Sequence, residues 1–180
     1  MAEQEFSEFV KRKTERVMAE EAIDWAKRRA DWLRELGELY TSMENHLRPY
    51  TQAGEIQIER TPIQLREEYL GTYKADKLTF RIGRDKIIAK PIGATVIGAR
   101  GRVDLSGPRQ TLKILLLAKG GPVLTTKIEH GGVTEESSRS MVRGDVDEAG
   151  WYIETPAPDS VVFAFGEDSF RDAIMEVSGG

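Results

Sequence analysis

The sequence predicts an α+β fold: a long N-terminal helix or helical hairpin, a mainly antiparallel sheet or small barrel, and a C-terminal helix. Three observations carry this reading. From Glu3 to Arg48 the chain has no proline and a single glycine, Gly37, while apolar residues recur at spacings of three and four. After Pro49 the period drops to two, in short runs divided by glycine-bearing turns. Between Glu167 and Val177 the spacing of Phe170, Ile174 and Val177 is helical again. Strands gathered in the middle with helices at the ends form an α+β pattern, not the alternation of α/β.

In the first segment, Met18, Trp25, Trp32 and Leu39 stand seven residues apart, and Ala22, Leu36 and Met43 fill the intermediate positions. A second row, Ile23, Ala26, Ala30, Leu33, Tyr40 and Leu47, widens this seam into a broad amphipathic face. Phe6, Val10 and Val17 fall on a rotated face, so a bend is expected between Thr14 and Glu21. Thr41 and Glu44 have capping-box spacing and allow a second break. Pro49 ends the helix, because proline lacks the amide donor and clashes with the preceding turn. Forty helical residues would span about 60 Å, more than one small domain can cover. The stripe of Met18, Trp25, Trp32, Leu36, Leu39 and Met43 is therefore a candidate coiled-coil interface between copies, a homo-oligomer with the dimer as first choice.

The β region starts with Gly54 to Arg60, where Ile56 and Ile58 share a face. Lys77 to Ile82 alternates Leu78, Phe80 and Ile82 against Lys77, Thr79 and Arg81, and Gly83-Arg84-Asp85-Lys86 turns the chain into Ile87 to Ile92. Ala94 to Ile97 and Arg102 to Leu105 follow as strands, with Gly98 and Gly101 marking a bulge or corner. Thr111 to Ala118 is the most apolar run and is expected to be central. Lys119 to Gly150 reads as a long hairpin with a loop, ahead of strands at Trp151 to Glu154 and Val161 to Phe165. The chain divides into a helical assembly segment, 1–48, and a β-rich domain, 49–180, whose curled sheet and closing helix resemble a pleckstrin-homology-like barrel.

The 180 residues suffice for one core with an appendage. With 39% hydrophobic and 31% charged residues, the composition is that of a globular protein. No apolar window approaches the length of a membrane span, and MAEQEFSEFVKRK has no hydrophobic signal region. The absence of cysteine removes disulfides and thiolate chemistry and fits a cytoplasmic location. Net charge is -2 over residues 1–48, +5 over 49–118 and -7 over 119–180, which allows the middle and end to contact each other. A pI of 5.4 without a basic stripe argues against nucleic acid.

No constellation with catalytic, cofactor-binding or metal-binding spacing emerges. His46 lies in the last turn of the long helix, a position favoured electrostatically, and His130 precedes two glycines. Asp145, Asp147 and Glu148 lack the remainder of a calcium loop and read as an acidic turn. Glu67-Glu68 and Glu135-Glu136 are carboxylate pairs with nothing to place either in a cleft. Arg100 and Arg102, with Arg81 and Arg84 nearby in sequence, are the candidate anion- or partner-binding residues, since paired guanidinium groups can hold a carboxylate or phosphate.

The run Leu78-Thr-Phe, Pro91-Ile-Gly, Gly98-Ala-Arg-Gly-Arg-Val-Asp-Leu-Ser-Gly-Pro-Arg, Trp151-Tyr-Ile and the final Glu-Asp-Ser-Phe helix resembles a group of uncharacterised bacterial proteins. The resemblance spans the last hundred residues, implies a bacterial origin and brings no activity. The functional expectation is a non-enzymatic protein that self-associates through its N-terminal helix and presents the β domain to a macromolecular partner, such as another protein. The alternatives are a small-ligand or anion-binding β domain and, third, a carboxylate-based hydrolase.

Overall fold

The computed structural model describes residues 2–130 and 133–179. Its first element, α1 (Ala2–His46), is one helix of 45 residues, about 68 Å long. The expected bend is absent. Ion pairs four residues apart, Lys11–Glu15 (4.0 Å) and Arg16–Glu20 (2.9 Å), bridge the turns where it was expected. The second expected break is also absent, because Thr41 uses its hydroxyl within the helix, donating to the Gly37 carbonyl at 3.0 Å. Glu44 instead receives Arg60 through two bonds of 2.7 and 2.8 Å. The helix ends at His46, and Pro49 stands in the first turn of a short helix, α2 (Arg48–Gln52), where its missing N–H has no consequence.

Among the described residues nine strands follow: β1 (Ile56–Glu67), β2 (Gly71–Ile82), β3 (Asp85–Gly93), β4 (Gly101–Ser106), β5 (Thr111–Leu117), β6 (Val123–His130), β7 (Val133–Ser140), β8 (Gly150–Glu154) and β9 (Val162–Ala164). Seven of them form one antiparallel sheet in the order β1-β2-β3-β4-β5-β8-β9, while β6 and β7 form a separate hairpin. With α3 (Glu167–Ser178) closing the chain, the fold is α+β, and the sheet is open rather than a barrel. Ala94 to Ile97 is not a strand. Glu67 takes the N–H groups of Ala94 and Thr95 at 3.0 and 2.7 Å, so donors that a ladder would use are engaged elsewhere. Gly98, at φ +78, then turns the chain tightly enough for a single bridge between Val96 and Ala99.

The β1–β2 ribbon pairs without interruption from Ile56↔Ile82 to Glu67↔Gly71. Its apolar positions nevertheless change parity, from Ile56, Ile58, Leu78 and Phe80 to Ile63, Leu65, Tyr73 and Ala75. The ribbon therefore turns over along its length. Its inner half belongs to the sheet and its outer half runs beside α1. Pro62 is accommodated because β1 is an edge strand.

Trp32, Leu36, Leu39, Tyr40 and Met43 of α1, with Leu47 just after it, enter a single core with Leu78, Phe80, Ile87, Val103, Leu105 and Ile114 of the sheet and Phe170, Ile174 and Val177 of α3. A smaller cluster of Leu115, Leu117, Val146, Tyr152 and Val162 lies apart from it. Burial on both faces explains why Thr111 to Leu117 is nearly continuously apolar. Dividing the chain at residue 48 does not follow this packing. The second half of α1 belongs to the core of the β domain, and the boundary that packing defines lies near Trp25.

Candidate functional site

From Glu3 to Asp24 every residue of α1 is exposed, and Trp32 is the first that is fully buried. About 22 residues, roughly 33 Å of helix, thus project from the domain. At 100° per residue, Phe6, Phe9, Val10 and Val17 fall on one face of this arm. They are 66%, 48%, 44% and 52% exposed. The Phe6 and Phe9 rings stack at 6.4 Å, and Lys13 Nζ lies 5.9 Å from the Phe9 ring centre. This face is turned by about 85° from the one that carries Trp25, Trp32, Leu39 and Met43 into the domain. One straight helix thus has two apolar faces, one buried in the chain and one free.

A collar of contacts fixes the direction in which the arm leaves. The tip of the β1–β2 ribbon places Tyr69 on Trp25, with ring centres 4.7 Å apart and planes within 12°. Arg29 donates to the Leu70 carbonyl at 3.3 Å, and Arg28 donates to the carbonyls of Ala94 (2.9 Å) and Arg100 (2.5 Å). The same loop is held from below by Glu67, which accepts from the Tyr73 and Thr95 hydroxyls and from two backbone N–H groups. Burial alone would raise the Glu67 pKa, but the bonds from Thr95, Tyr73 and Ala94 outweigh it and hold the carboxyl below its ordinary 4.5. Burial and the neighbouring Glu67 push the Tyr73 hydroxyl the other way, upwards. Beside the collar, Met18, Glu21, Ala22, Trp25, Arg29 and Tyr69 border an open groove of about 380 Å³.

Of the six candidate interface residues, Trp32, Leu36, Leu39 and Met43 lie inside the chain's own core and are closed to another molecule. Trp25 is half-buried under Tyr69, and Met18 is exposed. The free face is instead made by Phe6, Phe9, Val10 and Val17. Three of these gave a signal in the sequence as a face out of phase with the main stripe.

The candidate anion-binding arginines are not brought together. Arg81 pairs with Lys86 at one end of β3, while Arg102 pairs with Gly93 at the other. Arg84 stands in the hairpin turn beside Arg81. Arg100 reaches Glu35 at 3.4 Å, and Arg102 holds Asp104 through bonds of 2.7 and 3.0 Å. Arg102 and Lys113 do line a groove of about 350 Å³ with Val96, Ile97, Met141 and Glu154, and Lys113 pairs with Glu154 at 3.1 Å. Across this side of the sheet the register sets Lys90, Asp104, Lys113 and Glu154 in a row of alternating charge.

His46 ends α1 against the rings of Phe165 and Phe170, and its carbonyl accepts from Arg171 at 2.9 Å. His130 is the last residue of β6. Among the described residues no cluster of three or more His, Asp or Glu side chains could hold a metal ion, and no helix is long and apolar enough to cross a membrane. Comparison with protein-family models, with curated proteins and with solved structures finds no match to this chain.

Proposed function

We propose that the protein is a non-enzymatic assembly protein that self-associates through the projecting half of α1 and presents its β domain to a macromolecular partner. The observation that carries this reading is the face of Phe6, Phe9, Val10 and Val17, exposed on a helix whose exit direction is fixed. A free helix of this length is marginal in water, and an apolar stripe along it stabilises it only when covered. The β6–β7 hairpin offers a second protruding surface, with Leu124 and Ile128 exposed on one face and both strand edges unpaired by the main sheet. Light scattering on the full chain and on a Phe9→Glu/Val10→Glu variant tests the self-association. The expected result is a wild-type dimer and a variant monomer whose core melts at an unchanged temperature. A monomeric wild type at 100 μM, on the order of a weak helix-pair affinity, would refute it.

The groove at Arg102 and Lys113 supports a second reading, a small-anion site. Each cation there already has a carboxylate partner, so an anion would have to displace Asp104 or Glu154. Thermal stabilisation by phosphorylated or acidic metabolites, lost in Arg102→Ala, would establish that reading. The hydrolase reading has less behind it: Glu67 is held ionised by four donors, the opposite of what a general acid needs.

A further inference from the structure

We propose that two copies of the arm pair antiparallel, about a two-fold axis level with Phe9 and Val10. This rests on the self-association just argued and adds orientation and register. The arm carries its charge in blocks: Glu3, Glu5 and Glu8 come first, then Lys11, Arg12, Lys13 and Arg16, with Glu15 the one opposing charge among them. A parallel, in-register pair would set each block against its own copy. An antiparallel pair centred at Phe9 and Val10 sets the acidic block of each copy against the basic block of the other. Moving the centre to Lys13 would bring basic onto basic, so charge selects the register as well as the direction.

Helical geometry sharpens the match. Glu5, Arg12 and Arg16 lie within about 40° of one another, on a single flank of the Phe6–Val17 stripe. When the two-fold axis is perpendicular to the helices, like flanks meet. Glu5 of each copy then falls level with Thr14 of the other, midway between its Arg12 and Arg16. Arg16 also meets Glu20 through Nε at 2.9 Å, and its guanidinium keeps further donors, while Arg12 has no ion pair among the described residues. Phe6, Phe9 and Val10 of both copies gather within two turns of the axis, and Lys13 of each comes level with the opposing Phe6. In a parallel pair opposite flanks meet, and Glu5 never reaches the arginines.

The two domains consequently stand at opposite ends of the assembly. The protein has no cysteine, so Ala30→Cys, on the exposed side of α1, gives one unique spin-label site per chain. Along the helix axes the two labels of an antiparallel dimer are separated by about 60 Å. A parallel dimer would place them about 25 Å apart or less, since helix axes pack 8–10 Å apart. Pulsed dipolar spectroscopy on the full-length dimer separates these cases. Raising salt should weaken an antiparallel dimer by screening its opposed charges and strengthen a parallel one.

Charge exchange is the second arm of the test. E5R alone and R12E/R16E alone should each raise the dimer Kd about tenfold, and an equal mixture of the two chains should restore dimerisation. A long label distance, salt-weakened association and recovery in the mixture would together support the proposal. A dimer with a short label distance, or no recovery in the mixture, overturns the antiparallel register while leaving self-association intact. A chain that stays monomeric overturns both.

Discussion

Glu67 joins parts of the chain that sequence distance keeps apart. Its carboxylate, at the end of β1, accepts from Tyr73 on β2 and from Ala94 and Thr95 after β3. It thereby holds the loop from which Arg28 takes two carbonyls, and so it positions the root of the arm. Because these bonds favour the ionised form, the folded-state pKa lies below the unfolded value. The stability Glu67 contributes is present above the ordinary 4.5 and is lost as pH falls through the folded-state value. Glu67→Gln should cost about 1–3 kcal/mol at pH 7, since an amide offers the two N–H groups one acceptor and turns a donor towards the others. It should also flatten the acid limb of stability below pH 5, and denaturant titrations from about pH 7 to 3 measure this. Parallel pH profiles for wild type and variant would show that the carboxylate is not ionised by these bonds. Gly101 belongs to the same neighbourhood: a Cβ there would lie 2.3 Å from the Trp32 ring. Its glycine makes room for the first buried residue of α1 and needs no special backbone angle.

At the scale of elements, the helix and most strands could be read from the sequence because their periods are local properties. The 3.6-residue period of α1, the alternation in Lys77 to Ile82 and the spacing of Phe170, Ile174 and Val177 all return in the fold. What periodicity cannot convey is the identity of the covering surface. Trp25 and Trp32, one heptad apart, satisfy a second helix and a sheet equally well, and here the sheet takes Trp32 while Tyr69 takes Trp25. Ala94 to Ile97 has strand composition, and its fate depends on Glu67, 27 residues earlier in the chain. The out-of-phase face of Phe6, Val10 and Val17 was legible as a face, but a bend was the natural way to bury it. A straight helix that leaves it uncovered is the alternative that the ion pairs permit. Truncation distinguishes the roles of the two halves of α1. Removing residues 1–24 should leave the melting temperature of the remainder within about 2 °C, because no buried side chain is lost. Removing residues 1–48 deletes Trp32, Leu36, Leu39, Tyr40, Met43 and Leu47 from the core and should abolish folding, as calorimetry of both products would show.

For the molecule as a whole, this arrangement separates two sources of order. The core is held by burial between α1, the sheet and α3, whereas the arm before Trp25 has only its backbone bonds, its short-range ion pairs and whatever covers its apolar face. Local opening of the arm therefore does not require opening of the core. Heating should give two transitions. The first, seen as loss of helical signal in the far ultraviolet, should move upwards with protein concentration, because pairing of arms is a mass-action equilibrium. The second, followed through the near-ultraviolet signal of buried Trp32 and half-buried Trp151, whose rings lie 6.1 Å apart, should not depend on concentration. Within each arm the apolar stripe spans only Phe6 to Val17, so the first transition belongs to a weak, reversible contact, and a tenfold dilution should shift it visibly. Coincident curves at every concentration would mean that the arm and core unfold as one unit, which the exposure of every residue from Glu3 to Asp24 does not allow.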